Sequence, residues 1–167
     1  MLITRRQLVA ATSACAAFAG TGGVLAQLPA PAPGRRLLAA SEIDVVSALI
    51  EAFFPPGNPL GVSGSQVDAA SELDRLLVDE LDPVVAPVLR HLLRGFEYAS
   101  IATHGARFSQ LERPVREEIL TEWSDPANVP RRMAYEVLKT CVGWAWLTAP
   151  AVRTAIGWQA DCHAGAA

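Results

Sequence analysis

Apolar residues recur every three or four positions from Leu37 to the end of the chain, and the breaks between these runs mark out helices. Ser41 with Glu42 and Asp44 supplies a capping oxygen and first-turn negative charge. Ile43, Val46, Leu49, Ile50 and Phe53 follow at helical spacing until Pro55 and Pro56 end the run. Ser65 is the expected cap of a second helix, with Val67, Ala70, Leu73, Leu76 or Leu77, and Leu81 facing inward. Asp82-Pro83 opens a third, carrying Val85, Leu89, Leu92, Leu93 and Phe96 to about Ala102. Ser109-Gln110-Leu111-Glu112 matches a capping box before Leu111, Val115, Ile119, Leu120 and Trp123. Arg113, Arg116, Glu117 and Glu118 on that helix are expected to point mostly outward. Pro130 begins a fifth helix with Met133, Val137, Leu138, Cys141, Val142 and Ala145, and Pro150 a short last segment to near Gly157. No alternating stretch reads as a strand. The expected fold is all-α, an irregular bundle of five or six helices over 37–167.

The pattern ahead of Leu37 is different. Arg5 and Arg6 open onto Leu8 and an uncharged run that contains no other charged side chain until Arg35. Val24-Leu25-Ala26 offers an A-x-A-like exit, so 1–26 reads as a cleavable export signal cut after Ala26. The paired arginines, and the dilution of the run by Thr12, Ser13, Gly20 and Gly22, point to the twin-arginine route, which moves folded cargo. An ordinary secretory signal is the bland alternative. Residues 27–36, with Pro29, Pro31, Pro33 and Gly34, read as a Pro-rich linker.

Charge narrows the partners. The chain has a formal net charge of −3, and losing Arg5 and Arg6 makes it more acidic. Nucleic-acid binding by phosphate neutralisation is therefore not expected. Of the three cysteines, Cys15 leaves with the signal, and Cys141 and Cys162 remain for an oxidising compartment. Paired with each other they would close a loop of about 20 residues, worth roughly 3 kcal/mol. A bridge to another chain, or two free thiols, are the other possibilities.

Candidate chemistry is sparse. No G-x-G-x-x-G follows a strand, and Cys162-His163 lacks the second cysteine of a covalent haem motif. His91, His104 and His163 are scattered, without metal-ligand spacing. Gly61-Val62-Ser63-Gly64-Ser65 falls short of a nucleophile elbow, because Ser65 stands where glycine is required. Neither a catalytic residue nor a metal ligand is assigned. Aromatic residues are more suggestive. Phe53 and Phe54 lie at the Pro-rich end of the first helix, and Trp144, Trp146 and Trp158 crowd the last segments. Trp144 and Trp146 point about 200° apart on a helix, so one of them faces away from the core. Phe53, Phe54, Trp144, Trp146 and Trp158 are candidates for a partner interface, since large aromatics anchor such surfaces.

Together these features resemble the small (gamma) subunit of gluconate 2-dehydrogenase and of related periplasmic sugar, polyol and glycoside dehydrogenases. The resemblance is carried by the Thr4-Arg5-Arg6-Gln7-Leu8 signal and by Leu38-Ala39-Ala40-Ser41-Glu42 leading to Leu49-Ile50-Glu51-Ala52-Phe53-Phe54-Pro55. It continues through Phe108-Ser109-Gln110-Leu111 with Arg116 and Ile119-Leu120, and through Ala149-Pro150-Ala151-Val152 to Ile156-Gly157-Trp158. The tail Gln159–Ala167 has no counterpart in that pattern. The resemblance implies a non-catalytic subunit, without a cofactor of its own, that carries the export signal for a larger partner. That partner is an FAD-binding dehydrogenase of the glucose–methanol–choline type, often with a multihaem cytochrome c as electron acceptor. Recognition by the twin-arginine translocase and a periplasmic location follow from the same likeness. A free-standing exported helical binding module is the alternative.

Overall fold

A computed structural model describes residues 27–158. Arg5, Arg6, Leu8, Ala26 and Cys162 lie outside the described residues. Seven α-helical segments run in chain order: α1 Ala40–Phe53, α2 Ala69–Asp79, α3 Val85–Ala99, α4 Ile101–His104, α5 Arg113–Trp123, α6 Val129–Thr148 and α7 Pro150–Ala155. Short 3-10 turns at Gly64–Gln66 and Phe108–Gln110 complete the described elements, which include no strand. Only Ser100 separates α3 from α4, so the two continue the single third helix expected from the pattern.

Helix α1 is the hub. It packs against α2, α3, α5, α6 and both 3-10 turns. Buried residues therefore occupy much of its circumference: Glu42, Val45, Val46, Ala48, Leu49, Ile50 and Ala52. Around it α2 contributes Leu73, Leu76 and Leu77, and α3 contributes Leu89, Leu93 and Phe96. Phe96 meets Phe108 and Trp123 edge-on, with ring centroids 4.6 and 4.7 Å away. That aromatic cluster fastens α3 to the second 3-10 turn and α5, each edge-to-face pair adding about 1 kcal/mol beyond area burial.

The helix starts differ from the expected ones in instructive ways. Helix α1 begins one residue before Ser41, with Ala39 as its cap and the Glu42 carboxylate accepting from the Ala39 N–H at 2.9 Å. Ser65 does not cap α2. It belongs to a 3-10 turn, and Asp68 caps the helix by accepting from the Ser71 N–H at 3.0 Å. Burial alone would raise the Asp68 carboxyl's pKa, but hydrogen bonds from Ser71 and Arg35 outweigh it and lower the pKa. Leu81 falls beyond the end of α2 and is exposed. Ser109 does not form a capping box; α5 starts at Arg113, capped by Glu112 with Pro114 in its first turn. The Ser109 N–H and hydroxyl instead both donate to the buried Glu97 carboxylate, which belongs to α3.

The loop after α1 folds back onto it through a close approach at Gly64, whose N–H donates to the Phe54 carbonyl at 2.7 Å. A Cβ at this position would lie 2.4 Å from the Ile50 carbonyl oxygen and 2.9 Å from the Glu51 nitrogen. Backbone cannot swing aside as a side chain can. Gly64→Ala should destabilise the fold by about 2–3 kcal/mol, the upper range for overpacking. A urea midpoint within error of the parent chain would refute the close approach.

Candidate functional site

The N-terminal end of the described chain is docked on the bundle, although its Pro-rich composition suggests a free linker. Three successive amides, of Arg36, Leu37 and Leu38, donate to the buried Asp74 carboxylate of α2 at 2.8, 2.9 and 2.7 Å. Arg35 pairs with Asp68 at 3.0 Å and Arg36 with Asp79 at 2.7 Å. Further up, two arginines one turn apart on α3 reach main-chain oxygens: Arg90 donates to the Pro29 carbonyl at 2.6 Å, and Arg94 to that of Gln27. Arg90 also donates through Nε to Glu42 at 2.8 Å, an ion pair in which both side chains are buried. The segment that follows the expected cleavage site is thus seated on the folded body.

Arg116 is a further correction. It does not point outward but reaches across to α1, donating to the Ala48 carbonyl and the Glu51 carboxylate, each at 3.2 Å, and to Leu111 at 2.8 Å. With Ser41, Asp44, Ser47 and Glu97 it lines an open polar groove of about 340 Å³. The strongest charges there are already engaged, Arg116 with Glu51 and Glu97 with Ser109. Ser63 lies in a turn, its N–H donating to the Gln66 side chain at 2.7 Å and its hydroxyl 3.1 Å from that of Ser65. Among the described residues, no group of three His, Cys, Asp or Glu side chains could hold a metal ion. None of the described helices is long and apolar enough to cross a membrane.

The aromatic candidates divide into two sets. Trp146 is only 1% exposed and stacks flat on Phe54, centroids 3.8 Å apart and planes 9° from parallel. Phe53 meets Tyr135 edge-on at 5.9 Å. These contacts join the end of α1 to α6, so Trp146 is withdrawn from the surface set, and Phe53 and Phe54 are half-buried behind it. Trp144 and Trp158 point outward instead, 57% and 51% exposed. The roughly 200° between Trp144 and Trp146 shows in the sequence; which of the two faces the core is decided by Phe54.

Cys141 is half-buried on α6, and desolvation pushes its thiol pKa up to about 11. Such a thiol stays protonated at neutral pH and is a poor nucleophile. Its possible partner Cys162 lies outside the described residues.

Comparison with known proteins places this arrangement. Neither a search of curated proteins nor one of solved structures gives a match. The family model of gluconate 2-dehydrogenase subunit 3 matches residues 40–161, which takes in every described helix from α1 to α7. The chain belongs to the gluconate 2-dehydrogenase subunit 3 family.

Proposed function

We propose that this chain is the non-catalytic small subunit that escorts a larger FAD-dependent dehydrogenase of the glucose–methanol–choline type to the periplasm by the twin-arginine route. The observation that carries the reading is family membership over the whole helical body, which makes the chain a subunit of a dehydrogenase complex. Arg5 and Arg6 ahead of the uncharged run supply the address for the pair. Folded-state export is necessary when a cofactor must be inserted before translocation, and FAD belongs to the partner in this reading. The hold of Arg90 and Arg94 on the Pro29 and Gln27 carbonyls is consistent with the reading, because it seats the residues that follow the expected cleavage site on the folded domain.

Replacing Arg5 and Arg6 together by lysine tests this. The flavoprotein and its dehydrogenase activity should stay in the cytoplasmic fraction of cells that express the whole complex. Unchanged periplasmic flavoprotein would defeat the escort role.

A further inference from the structure

The last two helices have an unusual charge pattern. From Val137 to Trp158 there is no aspartate or glutamate, in a chain with 17 acidic residues, and the only charges are Lys139 and Arg153. The same stretch exposes Trp144 (57%), Leu147 (46%), Ile156 (43%) and Trp158 (51%). Trp144 and Leu147 are neighbours on one face of α6, three residues apart. Ile156 and Trp158 follow α7, which is joined to α6 through the single extended residue Ala149. The Trp158 N–H donates to the Arg153 carbonyl at 2.9 Å, folding the end of the described chain back onto α7. Helical rise confines Trp144 and Trp158 to within about 25 Å of one another, inside the footprint of a standard protein interface, about 30 Å across.

Arg153 gives this corner its chemistry. Its guanidinium carbon lies 4.5 Å from the centroid of the Trp158 ring. Its Nε is one of three buried side-chain polar atoms with no hydrogen-bond partner among the described residues. Most other arginines there meet carboxylates, as Arg35, Arg36, Arg75, Arg90, Arg113 and Arg116 do. A cation stacked on an exposed indole, in the same stretch of chain as three further exposed apolar side chains and without a carboxylate partner among the described residues, has the composition of an interface hot spot.

We infer that the α6–α7 corner is the docking face for the flavin-bearing subunit, through an apolar segment of that partner carrying a carboxylate that meets Arg153. The inference rests on the dehydrogenase-subunit reading and adds the face and the chemistry of contact. A lipid surface fits less well. Basic side chains near an anionic bilayer contribute about 1 kcal/mol each, the stretch has two, and Arg153 is half-buried against Trp158.

The test uses the complete complex, with a tag on this chain and flavin fluorescence of the captured material as readout. Trp144→Ser with Trp158→Ser, and separately Arg153→Glu, should each lower captured flavoprotein at least about 10-fold, as loss of a hot spot does. Thermal melting of the tagged chain should fall by no more than a few degrees, the loss of one partly exposed cation–π contact. Leu60→Ser and Val129→Ser, exposed apolar positions elsewhere, should leave capture unchanged. Full capture by both corner variants overturns the inference while leaving the subunit reading intact; absence of flavoprotein with the unaltered chain overturns both. Three results would assign the corner to another occupant and overturn it as well. One is flotation on phosphatidylglycerol vesicles that the same variants abolish. Another is self-association of the isolated chain that they abolish. The third is several-fold greater capture after removal of 159–167, which would mean that the chain's own tail covers the face.

Discussion

Arg90→Ala should lower the melting temperature by about 10–20 °C, the consequence of a destabilisation of about 3–5 kcal/mol in a domain of this size. The magnitude comes from what is left behind. Glu42 is completely buried, and its Oε2 accepts from Arg90 and from the Ala39 N–H, while Oε1 has no partner among the described residues. Without the guanidinium, a carboxylate would sit in the centre of the bundle with one amide for compensation, and the Pro29 carbonyl would lose its donor. Such a group costs far more when half of its pair is removed than when both halves go. The double variant Glu42→Gln with Arg90→Met should therefore recover at least half of the loss, because the amide oxygen still serves Ala39 and no charge remains. Calorimetry of the single and double variants checks this. If the double variant melts no higher than Arg90→Ala, the cost lies in packing and the buried charge is not its source.

Asp74→Ala should be the next most damaging change. One carboxylate of α2 satisfies three successive amides, and the Leu38 amide is buried. Removing it leaves at least one buried N–H without an acceptor and frees the others to be rehydrated, at a cost of about 3 kcal/mol. Asp74→Asn should cost about half as much. Its oxygen can still accept from Leu37 and Leu38, but its NH₂ group would face the Arg36 N–H, donor against donor. A second readout is local. The Arg35 and Arg36 side chains are held by Asp68 and Asp79 only while their backbone stays seated. Trypsin should then cut after Arg35 or Arg36 several-fold faster in Asp74→Ala, at temperatures where the bundle remains folded. Equal cutting rates in the variant and the parent would show that the seat does not depend on Asp74.

The helices were legible because each packs one apolar stripe, and the periodicity of Leu89, Leu93 and Phe96, or of Leu138, Val142 and Ala145, states that directly. Caps were less legible. Ser65 and Asp68 are equally good oxygens three residues apart, and the choice was made by the approach of Gly64 to the Ile50 carbonyl, a contact with no local signature. Ser109 was similarly diverted to Glu97, twelve residues earlier. Least legible were the inward arginines. Arg90, Arg94 and Arg116 look like solvated helix charges, and their partners at Glu42, Pro29, Gln27 and Ala48 lie 48 to 68 residues away. The exposed corner could be read in part. Helical geometry separates Trp144 from Trp146 without saying which turns outward, and nothing in the sequence pairs Trp158 with Arg153.

The two α3 arginines grip carbonyl oxygens, which every amino acid presents alike. That grip reads main chain alone, and substitutions at the exposed Gln27, Ala30 or Pro31 should drift freely so long as the path of the backbone survives. Grafting a foreign export sequence upstream of Gln27 should therefore leave the domain folded, with the same two main-chain contacts in place.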